Sequence, residues 1–140
     1  MAYRTLNPAS GEFIESFPDI GDGAFEETIA CAQHCFENDW PRRPVPERCT
    51  IMARAAARLR ETAEEHACRI TIEMGKPIRQ ARGEVLLAAN ILDYYARQGE
   101  SFLRPRELPD VPGAMLHTQP IGIVLAIVTY GSGVWPARDR

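Results

Sequence analysis

GIVLAIVTYGSGVWPARDR, residues 122–140, is the stretch on which the reading of this chain turns. Its first part, Ile123-Val124-Leu125-Ala126-Ile127-Val128, is apolar without alternation, which predicts a strand buried on both faces, as in a parallel sheet. A strand of that kind needs partner strands, and none follows it in the sequence. Thr129-Tyr130-Gly131-Ser132-Gly133 then brings two glycines directly after a strand, the arrangement with which many nucleotide sites open. The dinucleotide fingerprint G-x-G-x-x-G asks for a third glycine where Pro136 stands, and no Gly-Lys-Ser/Thr follows to make a P-loop. On these residues alone the loop is not a phosphate cradle.

Working back from that strand, the hydrophobic period changes to that of helices. Phe25, Ile29, Ala32 and Phe36 recur one helical face apart after a candidate N-cap, Asp22, and predict a helix ending near Trp40-Pro41. Glu26 and Glu27 point in different directions and read as a solvated first turn rather than a catalytic pair. PRRPVPE, residues 41–47, is a connector whose Pro46 opens a second helix carrying Ile51, Met52, Ala55 and Leu59. Thr62-Ala-Glu-Glu65 matches a capping box for a third helix with Ala63, Ala67, Ile70 and Met74 on one side. Gly75 and Pro77 stop it, and Lys76 is a cation at its C-terminal end. A fourth helix carries Ile78, Ala81, Val85, Ala88, Leu92 and Tyr95 and is expected to end at Gly99.

Outside the helices, residues 5–18 read as a turn and a strand, and 100–118 as a proline-rich loop with edge strands at 100–104 and 113–118. A net charge of -3 with scattered Lys and Arg argues against a nucleic-acid partner. The longest apolar run, residues 123–128, is far short of the roughly 20 residues of a bilayer span, so no membrane partner is expected and the chain reads as cytoplasmic. Cys31, Cys35, Cys49 and Cys68 all fall in helical patterns and read as reduced, buried spacers. Cys31, His34 and Cys35 share one helical turn and offer three ligand atoms. No fourth ligand stands at a familiar spacing, so no metal is expected.

EMGKPIRQARGEV (73–85), Asn7-Pro-Ala-Ser-Gly-Glu12, Glu47-Arg48 and Gln119-Pro-Ile-Gly-Ile-Val-Leu-Ala-Ile127 together resemble the N-terminal part of the aldehyde dehydrogenase superfamily, closest to its NAD(P)-dependent succinate-semialdehyde members. The likeness is collinear from about residue 5 to 128. It implies an α/β fold in which the helices cover an incomplete doubly wound cofactor-binding sheet, with 1–140 a partial N-terminal cofactor-binding domain and no catalytic domain. It also implies that 100–118 belongs to an oligomerisation hairpin, and that Ile127, Val128, Thr129 and Tyr130 border the NAD or NADP cleft.

The family typically continues Pro-Trp-Asn-Phe-Pro after this strand, with the Asn amide helping to bind the oxyanion. Thr129, Tyr130, Gly131, Ser132 and Gly133 stand at those positions, and Gly131 has no amide to offer. No catalytic residue carries over, because none of the four cysteines matches the nucleophile's motif. The resemblance thus implies a fragment of an enzyme that oxidises a small aldehyde to its acid. This chain is expected to be inactive and to bind no cofactor, but to associate with copies of itself or other subunits. Two rival readings remain open: a non-catalytic protein that binds full-length dehydrogenase subunits, and an unrelated small helical binding module.

Overall fold

The structure, a computed structural model, describes residues 3–126. Two strands, β1 (Tyr3–Leu6) and β2 (Phe13–Phe17), pair antiparallel with Tyr3 opposite Phe17 and a register shift between Thr5 and Leu6. The expected strand is β2, and its partner β1 is an addition. The turn between them forms because the Asn7 side chain accepts from Ala9 N at 2.9 Å, while Asn7 N donates to Glu12 O at 2.8 Å.

Four helices follow: α1 (Asp22–Asn38), α2 (Val45–Glu61), α3 (Ala63–Met74) and α4 (Ile78–Leu103). A single turn of 3-10 helix at Trp40–Arg42 separates the first two. Helix α1 starts at Asp22 behind Gly21, which provides no side-chain cap, so Asp22 serves as an acidic first-turn residue instead. Pro46 lies in the first turn of α2, where its missing N–H costs nothing.

Between α2 and α3 the capping box does not form. Thr62 sits at φ -99°, ψ 15°, close to helical rather than extended, and its hydroxyl donates back to Arg58 O at 2.9 Å. The two helices are therefore separated by one near-helical residue. Gly75 ends α3 as expected, in the left-handed region at φ 69°. It is doubly constrained, because a Cβ there would also lie 2.9 Å from Pro8 Cγ. The tip of the β1–β2 hairpin thus rests on the α3–α4 corner, and β2 and α3 flank a groove of about 290 Å³ lined by Ile14, Cys68 and Ile72 among others.

Helix α4 runs past Gly99, which is not its cap. A Cβ at Gly99 would come 2.6 Å from Cys49 Sγ, so the glycine permits α2 and α4 to approach closely instead. The core lies where α4 crosses α2 and α3. Its buried side chains among the described residues are Val85 and five alanines, at 56, 63, 67, 81 and 89. The α4 stripe is thus 81, 85 and 89, a strict one-turn repeat that replaces Ala88 by Ala89.

Residues 100–103 belong to α4, not to an edge strand, and the strand pair beyond it is shorter than expected. It comprises β3 (Arg106–Glu107) and β4 (Met115–Leu116), antiparallel with Arg106 opposite Leu116. The expected strand at 123–128 is not formed over 123–126, and Ile127 and Val128 lie outside the described residues. Strand geometry is held by ladder hydrogen bonds, and none of the four described strands pairs with this segment. No helix of the described residues is long and apolar enough to cross a membrane.

Candidate functional site

The residues assigned to the cofactor cleft, Ile127, Val128, Thr129 and Tyr130, lie outside the described residues, as does the glycine loop after them. The segment leading to them is described. It presents Ile121, Val124 and Leu125 to solvent, with Val124 83% exposed. A dinucleotide asks for backbone N–H groups at a helix start free of negative charge. Helices α1, α2 and α3 instead begin with Asp22, Glu47, and Glu64 with Glu65. At the start of α4, Lys76 is engaged by the Glu84 carboxylate. The described residues do not fit a pyrophosphate, and no step through a cofactor follows from them.

What the structure does bring together is a set of charged ties along α4. Arg82 Nε and Nη2 donate to the two Glu64 carboxylate oxygens at 2.7 and 2.6 Å, a bidentate pair that joins α4 to the first turn of α3. Arg60 on α2 donates to Asn90 Oδ1 at 3.0 Å and to Asp93 Oδ2 at 3.3 Å, and Arg97 reaches the same Asp93 oxygen at 3.2 Å. On the loop side, Arg43 Nε contacts both Asp39 oxygens, at 2.8 and 2.9 Å. Hydrogen bonding to Asp39 holds the Arg43 guanidinium above its ordinary pKa. The ties of Arg82 to Glu64 and of Arg60 to Asn90 and Asp93 were not visible in the sequence, since Glu64 and Arg82 stand 18 residues apart, Arg60 and Asp93 33 apart, and they meet only after the helices fold back.

The Arg82 hydrogen bond holds the Glu64 carboxyl below its usual 4.5, and the Arg82 guanidinium is raised in turn above its ordinary value. A depressed carboxylate adds stability that is complete above the unfolded value and is lost as pH falls through the folded one. The denaturation midpoint of wild type should therefore exceed that of Glu64→Gln near neutral pH, with the gap closing once pH drops below 4.5. Both side chains are solvent-accessible, so the gap is small. A gap that persists unchanged in strong acid would show that the pair's charge is irrelevant.

The cysteines do not gather. Cys31, Cys35 and Cys68 are exposed, against the expectation that they are buried spacers, because α1 buries none of its residues and Cys68 lines the open groove between β2 and α3. Cys49 is half-buried beside Gly99. Glu26 and Glu27 are exposed, as the sequence predicts. An aromatic cluster of which periodicity singled out Tyr95 alone lies on α4: Tyr94 and Tyr95 stack edge to face at 5.3 Å, with Phe102 6.1 and 6.2 Å from them.

Comparison with known proteins places this architecture. The aldehyde dehydrogenase family matches residues 1–134. A succinate-semialdehyde dehydrogenase (NADP(+)) of Deinococcus radiodurans is 44% identical over 127 residues, 89% of this chain and 26% of that protein. The succinate semialdehyde dehydrogenase (NAD(P)+) Sad of Escherichia coli K12 is 35% identical over 132 residues, 94% of this chain and 28% of the relative. Among solved structures, succinic semialdehyde dehydrogenase from Streptococcus pyogenes in complex with NADP+ superposes with a TM-score of 0.70 at 31% identity, covering 77% of this chain and 24% of that one. The chain spans about a quarter of the length of these relatives. Its α/β architecture is that of an N-terminal portion of their fold. With the match running over residues 1–134, the chain belongs to the aldehyde dehydrogenase family.

Proposed function

We propose that this chain is the N-terminal part of an NAD(P)-dependent aldehyde dehydrogenase whose reaction takes succinate semialdehyde, or an aldehyde like it, to the carboxylic acid. The observation that carries the reading is the 44% identity to the Deinococcus succinate-semialdehyde dehydrogenase across almost the whole chain. On this reading residues 1–140 are a partial cofactor-binding domain, the β3–β4 pair is part of an oligomerisation hairpin, and Ile127, Val128, Thr129 and Tyr130 border the NAD or NADP cleft. When bound, the dinucleotide supplies the hydride acceptor.

The 140-residue chain by itself catalyses nothing on this reading. Nucleophilic catalysis needs an activated thiolate beside its base. Three of the four thiols lie in open solvent, and the fourth is wedged against the α4 backbone. Losing one oxyanion donor, as at Gly131, costs about 10²–10³ in rate in enzymes of this general kind. Two assays test the reading. The purified chain, mixed with succinate semialdehyde and either NAD or NADP, should form no reduced cofactor. A chimera carrying residues 5–126 in place of the matching segment of the Deinococcus enzyme should keep succinate-semialdehyde oxidation. A chimera that folds and binds cofactor yet prefers a different aldehyde would overturn the substrate assignment, and steady turnover by the isolated chain would overturn the inactivity.

The exposed apolar side of α4, with Leu87 59% and Tyr95 54% accessible, supports the second reading, association with full-length dehydrogenase subunits. Failure to co-purify with an intact dehydrogenase would remove that reading.

A further inference from the structure

Helix α1 is unbroken from Asp22 to Asn38 and buries none of its residues, so Cys31 and Cys35 both present free thiols to solvent on one face. Residues four apart on a helix have Cβ atoms about 5–6 Å apart. A disulfide needs roughly 3.5–4.5 Å between those atoms, so the pair does not close on itself without bending the helix. An ion held between two sulfurs spans twice a metal–thiolate bond of about 2.3 Å, a separation that two thiols one turn apart can meet in ordinary rotamers.

The choice of ion follows from what is absent around the pair. No three His, Cys, Asp or Glu side chains converge as ligands among the described residues. The intervening His34 is turned along the helix, its Nδ1 3.1 Å from Asn38 Nδ2, while the same Asn38 amide donates to His34 O at 2.9 Å. A tetrahedral zinc site wants four ligands, and calcium or magnesium wants oxygens. Two thiolates alone suit a soft ion content with two-coordinate binding. We propose that Cys31 and Cys35 form a two-coordinate thiolate site for Cu(I).

On binding, each thiol releases its proton and each sulfur gives a lone pair to the ion; no electron is transferred. The complex carries one negative charge.

The test is an anaerobic titration of the full 140-residue chain with Cu(I) against a chromophoric chelator, with X-ray absorption at the copper edge. Wild type and the Cys49→Ser/Cys68→Ser double variant should hold about one copper per chain with two sulfur neighbours. Cys31→Ser and Cys35→Ser should each lose it, with helicity unchanged because both side chains are exposed. Retention of copper in either single variant, binding that depends on Cys49 or Cys68, or copper that appears only in a dimer bridging two chains would overturn the proposal.

Discussion

Val85→Asp should dismantle the packed helices at 25 °C. Val85 is fully buried at the centre of the α4 stripe, between Ala81 and Ala89. Removing it forfeits about 1.5–3 kcal/mol of burial. An aspartate in its place adds the several kcal/mol that an unpaired buried carboxylate costs, because the buried residues of this core, among those described, are valine and alanine alone. Together these effects rival the roughly 5–15 kcal/mol that holds a small domain together. Far-UV circular dichroism should show most of the helicity lost, while Leu87→Asp, on the exposed side, should stay close to wild type. A Val85→Asp protein with wild-type helicity and midpoint would mean that the helices do not depend on this crossing.

The isolated chain should bind a hydrophobic dye and associate while keeping its helicity. Alanines make up most of its core, and an alanine methyl contributes only about 0.8 kcal/mol on burial. They let the helices approach closely but leave little apolar volume to favour one packing over its neighbours. Much of the larger apolar surface is outside: Ile121 is 96% exposed and Leu125 78%. Such surface promotes self-association and the loose packing that dyes report. Replacing Val124 and Leu125 by lysine should weaken dye fluorescence and shift the chain toward monomer in sedimentation. A monomer with a sharp two-state melt and no dye uptake would contradict this expectation.

How far the sequence could be read depended on the range of the signal. Helices α1 to α4 were legible because their apolar residues recur within each segment, and the Gly75 stop because a left-handed residue there has a local cause. The errors came where a distant residue decides. Gly99 looks like a helix end until Cys49, fifty positions earlier, packs against it. Thr62 looks like a cap until α2 continues almost directly into α3. The six-residue apolar run reads as a strand on composition, yet strand structure is a property of pairs and the described residues hold no partner for it. Of the candidate site, family and fold were legible from collinear motifs, whereas the Glu64–Arg82 and Arg60–Asp93 ties have no sequence signature at all.

The α2–α4 crossing also sets an order of events during synthesis. Helix α2 is complete at Glu61, but the residues it packs against end only at Leu103. At about 5–20 residues per second, a ribosome leaves roughly 2–8 s between the two. Through most of that interval, until residues 90 and 93 are made, Arg60 has neither Asn90 nor Asp93. Folding of this chain is therefore gated by the emergence of its longest helix, and a nascent chain stalled before α4 has left the exit tunnel would be a substrate for chaperones rather than a folding intermediate.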